Sequence, residues 1–257
     1  MPDLPKDLQR ALTDVAHVPR LLVASDFDGT VAPIVSNPAH ARPLSAAADA
    51  LAELAALDST SAALISGRAL STLRELSGAL ADVHLVGSHG AEFDADFLDA
   101  IDESAKKRLA ELEQAMTAVA QRYPGATVET KPVSVAFHVR NAAPDQAQQA
   151  LDEALNAVRD WDIHVTEGKA VREFAVIDTD KGAALEQLRA QLGASAVVFF
   201  GDDVTDEKGF ARLTDGDVGV KVGSGETLAR YRVDSPDDVS AALSYLLDER
   251  SKWKQLK

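Results

Sequence analysis

The stretch Leu21-Leu22-Val23-Ala24-Ser25-Asp26-Phe27-Asp28-Gly29-Thr30 passes abruptly from an apolar run to two carboxylates and a glycine turn. A short apolar run closed by Gly29 reads as a buried strand that stops at its last polar residue. Side chains alternate along a strand, so Asp26 and Asp28 point one way and Phe27 the other. In a parallel sheet both acids would hang over the carboxyl edge, where α/β folds place their ligands. Two carboxylates held this close are costly without a cation, and oxygen donors suit a hard ion such as Mg²⁺. A loop with two turn-forming aspartates is the alternative reading of Asp-x-Asp taken alone.

The pattern recurs. Ala62-Ala63-Leu64-Ile65 ends at Ser66-Gly67-Arg68, and Val83-His84-Leu85-Val86 ends at Gly87-Ser88-His89-Gly90-Ala91-Glu92. Later, Ala196-Val197-Val198-Phe199-Phe200 ends at Gly201-Asp202-Asp203, and Val218-Gly219-Val220-Lys221-Val222 ends at Gly223. Helical stretches over 46–57, 69–76 and 183–192 lie between them. Strands alternating with helices predict a Rossmann-like α/β core, a parallel sheet covered on both faces. Every polar cluster then falls on one shared edge.

The middle of the chain has another rhythm. Residues 102–123 carry Leu109, Leu112, Met116 and Val119 at helical spacing. Residues 127–130 and 134–139 read as paired strands, and 144–161 as a second helix. A further strand pair, 163–166 and 171–176, turns at Glu167-Gly168-Lys169. Helix, hairpin, helix, hairpin is an α+β unit, αββαββ. Residues 94–177 are therefore expected to form a cap domain inserted into a core made of 1–93 and 178–257.

Composition narrows the function. The 257 residues carry a net charge of −15, which opposes binding to nucleic acid or to an anionic membrane. No apolar run has the length of a membrane span, and the first residues lack the layout of a signal peptide. Cysteine is absent, which removes disulfides, thiolate metal sites and a cysteine nucleophile. A cytoplasmic protein is expected, with a monomer favoured.

Further clusters have a functional and a plainer reading. Ser66-Gly67-Arg68 offers a hydroxyl and backbone N–H groups to a phosphate, or merely caps the next helix. Lys181, in Asp180-Lys181-Gly182, is a point charge for phosphate and nucleophile, or a solvated surface lysine. Gly201-Asp202-Asp203-Val204-Thr205-Asp206-Glu207 packs four acids into six positions, a density that favours metal binding over a turn. Gly223-Ser224-Gly225 is a phosphate loop or a flexible turn.

In order, Asp-x-Asp-Gly-Thr, Ser-Gly-Arg, Asp-Lys-Gly and Gly-Asp-Asp-x-x-Asp-Glu resemble the four motifs of the haloacid dehalogenase superfamily of phosphohydrolases. The resemblance covers nearly the whole core, and the insert is similar to the cap of that superfamily's C2 branch. Three stretches narrow it. They are Gly87-Ser88-His89-Gly90-Ala91-Glu92, then Glu129-Thr130-Lys131-Pro132-Val133-Ser134-Val135-Ala136-Phe137-His138-Val139-Arg140, then Glu167-Gly168-Lys169-Ala170-Val171-Arg172-Glu173. These resemble the trehalose-6-phosphate phosphatase family. Members often follow the last glutamate with an Arg-Pro pair, whereas Phe174-Ala175-Val176 stands here.

The resemblance implies Mg²⁺-dependent hydrolysis of a small sugar phosphate, trehalose 6-phosphate, through an aspartyl-phosphate. It makes Asp26 the nucleophile and Asp28 the acid that protonates the departing sugar oxygen. Crowding by Asp26 would help Asp28 hold that proton. Ser66 and Lys181 are implied to bind the phosphoryl group, with backbone N–H groups near Phe27 and Gly67. Mg²⁺ is implied on Asp26, the Asp28 carbonyl and Asp202, with Asp203 and Asp206 as outer acids of the metal site or as structural acids. Gly67, Arg68 and His89 count as candidate substrate contacts. Glu129, Lys131 and Glu173 are implied to reach sugar hydroxyls when the cap closes, or else are plain exposed strand residues. A related phosphatase acting on sucrose phosphate, a glycosyl phosphoglycerate or a hexose phosphate stays open, as do a phosphomutase and an inactive regulatory module.

Overall fold

The computed structural model describes residues 4–78, 80, 82–94, 103–131, 133–168, 170–177 and 179–255. Asp102, Pro132, Lys169 and Asp178, expected at a helix start, a strand connection, a turn and a domain boundary, lie outside the described residues. In chain order the elements are α1 (Lys6–Ala16), β1 (Leu21–Ser25), α2 (Ser45–Ala56), β2 (Thr60–Ile65), α3 (Leu70–Ser77), β3 (Val83–Gly87), β4 (Glu92–Phe93), α4 (Glu103–Ala120), β5 (Thr127–Thr130), β6 (Ser134–His138), α5 (Pro144–Ala157), β7 (His164–Gly168), β8 (Val171–Ala175), α6 (Lys181–Leu192), β9 (Ala196–Gly201), α7 (Asp206–Phe210), β10 (Val218–Val222), β11 (Tyr231–Val233) and α8 (Pro236–Gln255). They divide into two compact units, Met1–Asp94 with Thr179–Lys257, and Ala95–Asp178.

The first unit holds a seven-stranded sheet in the order β11-β10-β9-β1-β2-β3-β4. All neighbours run parallel except β4, which is antiparallel to β3. Every residue of β1, β9 and β10 is buried, as unbroken apolar runs in a doubly covered sheet require. Leu8 and Leu12 of α1, Leu51 and Leu54 of α2, and Leu243 and Leu246 of α8 share one core with Val23, Phe27 and Phe200. The chain winds outward from β1 through β2 and β3, then returns to lay β9 on the other side of β1. The winding therefore reverses between β1 and β9. Asp26 and Asp202 are the residues that leave these two strands, at the crevice where open α/β sheets bind ligands.

The second unit is an antiparallel sheet, β5-β6-β8-β7, with α4 and α5. Val135, Phe137 and Phe174 of the sheet are buried, as are Leu112 and Met116 of α4 and Ala150 and Ala154 of α5. Register places Glu129, Ala136, Glu173 and Thr166 in one row across the four strands. Alternation puts that row on the face opposite Phe137 and Phe174.

Several boundaries differ from expectation, α5 ending at Ala157 and α4 at Ala120 among them, and two have local reasons. Asp180 accepts the Ala183 N–H at 2.8 Å and caps α6, so the helix opens at Lys181 rather than at Ala183. β7 runs on past Thr166, because Glu167 and Gly168 still pair with Arg172 and Val171.

Candidate active site

Asp26 leaves β1 still tied to the sheet, its N–H donating to the Phe200 carbonyl at 2.9 Å. Its buried carboxylate accepts from Lys181 Nζ on Oδ1 at 2.6 Å. Lys181 also donates to Asp206 Oδ1 at 2.8 Å. Helix capping at Asp180 sets Lys181 in the first turn of α6, which turns an otherwise flexible side chain into a buried bridge between two acids. The Thr30 hydroxyl lies 3.3 Å from Asp26 Oδ2 and 3.4 Å from Asp202 Oδ1, within reach of the acids that follow both β1 and β9. One carboxylate oxygen each of Asp26, Asp202 and Asp206 lies within 4.8 Å of the others. Gly29 makes this approach possible. Its φ is +80°, and a Cβ there would sit 2.1 Å from Asp202 Oδ2.

The cluster is short of positive charge. Burial pushes Asp26 up to about 6 despite Lys181, and burial together with Asp26 pushes Asp206 up to about 7. Asp202 is also raised, by burial and by Asp206 and Asp203 beside it. Burial works against the Lys181 ammonium, but Asp26 and Asp206 outweigh it and hold the group above the usual lysine range. Three acids that resist ionising together, all offering oxygen, fit a hard divalent cation.

The neighbouring acids have partners of their own. Asp28 is held by Arg68, which donates Nε–H to Oδ2 at 2.5 Å and Nη2–H to Oδ1 at 2.6 Å. Arg68 is thus engaged with the candidate acid. The charge directly facing Asp28 is this guanidinium, rather than the Asp26 carboxylate expected to crowd it. Asp203, expected as an outer acid of the metal site or as a structural acid, makes loop contacts: Oδ1 accepts the N–H and the hydroxyl of Thr205, both at 2.7 Å. Burial raises Asp203, but the Thr205 hydroxyl, the Lys181 charge and these loop contacts outweigh it and leave the group below the usual range. Asp206 Oδ2 accepts the N–H groups of Asp202 at 2.9 Å and Asp203 at 3.0 Å, so it shapes the loop as well as holding Lys181.

The Ser66–Arg68 loop is shaped from two sides. Buried Ser66 accepts the Arg68 N–H on its Oγ at 3.2 Å. Ser88 and His89 both adopt left-handed φ, +48° and +55°. Their N–H groups donate to Arg68 O at 2.7 Å and Ser66 O at 2.9 Å. The His89 ring lies so close over Gly67 that a Cβ there would stand 2.5 Å from Cε1. His89, a candidate substrate contact, is thereby packed on this loop.

In the second unit, Glu173 receives Lys131 Nζ on Oε2 at 3.0 Å and Ser134 Oγ on Oε1 at 2.7 Å. Glu129 Oε2 and His138 Nε2 are 2.9 Å apart. All five residues belong to the face opposite Phe137. Phe174, which follows Glu173, is wholly buried on the other face.

A family model described as Trehalose-phosphatase matches residues 24–237. The chain belongs to the trehalose-phosphatase family. A trehalose-phosphate phosphatase of Mycobacterium marinum is 35% identical over 267 aligned positions, which cover 98% of this chain and 68% of that protein. One of Mycobacterium leprae is 34% identical, covering 93% of this chain and 61% of that protein. The chain thus spans about two thirds of the length of these relatives. The structure of Aspergillus fumigatus trehalose-6-phosphate phosphatase is 26% identical, covers 94% of this chain and 97% of that one, and superposes with a TM-score of 0.68.

For a trehalose-phosphatase family member, the structure gives a place to the last residue of the first motif and adds one residue that the motifs do not single out. Thr30 lies between the acids of β1 and β9. Lys221 is buried near the end of β10 and donates to the Asp202 main-chain carbonyl. A lysine inside an apolar strand, Val218-Gly219-Val220-Lys221-Val222, is the signal that could have found it.

Proposed function

We propose that this trehalose-phosphatase family member hydrolyses trehalose 6-phosphate to trehalose and phosphate, with Asp26 as nucleophile and Mg²⁺ as cofactor. The observation that carries the reading is the buried Asp26–Lys181–Asp206 bridge beside Asp202, at the point where the sheet reverses its winding. A carboxylate placed there by a strand end and fixed by an ammonium is a preorganised nucleophile.

Asp26 attacks phosphorus; a bond forms from its carboxylate oxygen as the bond to the sugar oxygen breaks. Asp28 gives that oxygen a proton, then takes one from the water that hydrolyses the aspartyl-phosphate. For Asp28 to present a proton, at least one of its two hydrogen bonds with Arg68 has to be released. The guanidinium N–H set free is then available to a phosphoryl oxygen. Lys181 and Ser66 supply further donors to the phosphoryl group, and Lys181 keeps Asp26 oriented throughout. Asp26, Asp202 and the Asp28 carbonyl would hold Mg²⁺, with Asp206 alongside. When bound, the ion draws charge from the phosphoryl oxygens and offsets carboxylate repulsion.

Glu129, Lys131 and Glu173 are assigned to the sugar, and the unit Ala95–Asp178 to specificity. Glu129 and Glu173 flank the small Ala136 in register, two strand spacings or roughly 10 Å apart. Two hydrogen-bonding acids with a methyl between them suit a polyhydroxylated ring. Among the described residues no helix is long and apolar enough to cross a membrane. A cytoplasmic monomer completes the reading.

The test is phosphate release from trehalose 6-phosphate, sucrose 6-phosphate, a glycosyl phosphoglycerate and glucose 6-phosphate, with and without Mg²⁺. Selective, Mg²⁺-dependent turnover of trehalose 6-phosphate is expected. Equal turnover of the whole panel would move the assignment to a broader sugar-phosphate phosphatase, and none at all to a regulatory module.

A further inference from the structure

We propose that Ser134 is a positioning residue for substrate selectivity, acting by fixing the plane of the Glu173 carboxylate. The proposal rests on the reading of Glu173 as a sugar ligand.

Each oxygen of Glu173 has its own donor, Lys131 Nζ on Oε2 and Ser134 Oγ on Oε1. An ammonium is a compact point charge on a flexible stem, and by itself it leaves a carboxylate free to turn about the contact. A second donor on the other oxygen removes that freedom. Ser134 is suited to this role because its own position is fixed. It opens β6, it is only 2% exposed, and its carbonyl accepts the Lys131 N–H at 2.8 Å across the β5–β6 connection. One backbone hydrogen bond therefore ties the two donors' positions together.

Register supports the same division of labour. Ala136 stands opposite Glu173 and Ser134 stands opposite Ala175, so Ser134 lies one pleat along the same face. The Glu173 side chain keeps about a third of its surface, 35%, while Ser134 is almost closed off. A sugar can meet the carboxylate but not the hydroxyl. Ser134 therefore acts on the sugar through Glu173. A fixed acid loses little freedom on binding, and preorganisation of this kind is what separates one polyol arrangement from another.

A double-mutant cycle tests this: wild type, Ser134→Ala, Glu173→Ala and the double variant, each assayed on trehalose 6-phosphate and on p-nitrophenyl phosphate. Ser134→Ala should lower the ratio of kcat/KM values for the two substrates about tenfold, mainly through KM. In the Glu173→Ala background it should add no further loss, because its partner is gone. Ser134→Cys, close in shape but a weak donor, should lose nearly as much, and it stands in if the alanine variant does not fold. The proposal is overturned if the two single losses multiply in the double variant, or if Ser134→Ala slows both substrates by one common factor. If Glu173→Ala leaves the substrate ratio unaltered, the sugar role of Glu173 itself falls, and the proposal with it.

Discussion

Arg68 and Asp28 meet as a two-pronged ion pair, Nε on Oδ2 at 2.5 Å and Nη2 on Oδ1 at 2.6 Å, although 40 positions separate them in the chain. The guanidinium also lies over the Phe27 ring, 5.7 Å from its centroid. The candidate acid is thus oriented by a rigid fork supplied from the next strand's loop.

Loss of that fork should show in catalysis rather than in folding. Arg68→Ala is expected to lower kcat on trehalose 6-phosphate by about ten- to a hundredfold, part of the ~10²–10⁴-fold that a positioned acid supplies. Arg68→Lys should not restore it, since an ammonium cannot reproduce two parallel hydrogen bonds. The effect on p-nitrophenyl phosphate should be smaller, because its leaving group departs without a proton. Equal slowing of both substrates would detach Arg68 from the acid role of Asp28.

Asp26→Asn should abolish turnover while leaving the fold in place. The amide is nearly isosteric, but it is a poor nucleophile and removes one of the negative charges facing Lys181. Circular dichroism would establish folding. More than about a hundredth of wild-type activity in the folded variant would exclude Asp26 as nucleophile.

Gly29→Ala tests the close approach of the β1 and β9 loops. The new methyl would collide with the Asp202 carboxylate, and the +80° φ adds a strain of roughly 1–2 kcal/mol. We expect a lower melting temperature, and a Mg²⁺ titration of activity shifted to higher concentration. An unshifted titration would mean that Asp202 does not serve the metal.

Replacing Glu129, Lys131 or Glu173 with alanine should lower kcat/KM for trehalose 6-phosphate by about ten- to a hundredfold, the worth of one hydrogen bond to a charged group. The ratio to p-nitrophenyl phosphate should fall with it. Melting temperatures are the control: partly exposed substitutions usually cost less than about 0.5 kcal/mol. Parallel loss on both substrates would indicate a structural role for the sheet face instead.

The strands that carry the site were legible because burial on both faces leaves unbroken apolar runs, as in Leu21-Leu22-Val23-Ala24 and Ala196-Val197-Val198-Phe199-Phe200. The polar residues after those runs, Asp26, Ser66 and Asp202, followed directly from the strand ends. Partnerships were harder to read. Nothing local tells that Asp28 answers to Arg68, or that Asp203 serves Thr205 while Asp206 serves Lys181; loop geometry decides between neighbouring acids. Whole elements were also missed, among them the helices α1 and α8 of 11 and 20 residues, and two short ones. α7 spans only Asp206–Phe210 and β11 only Tyr231–Val233, too brief for a periodicity to emerge.

The reversal of winding at β1 has a consequence for synthesis. β1 gains its first neighbour, β2, within a few dozen residues, but its second, β9, is made only after the whole Ala95–Asp178 unit. A nascent chain that has emerged as far as that unit presents the central, largely apolar strand with one row of unpaired backbone groups, a template for mispairing. Until Asp202 and Asp206 are translated, Asp26 has neither of the acids that later surround it. The interval in which the second unit is being made is therefore one of exposure to mispairing, and the acids of the active site come together only after it.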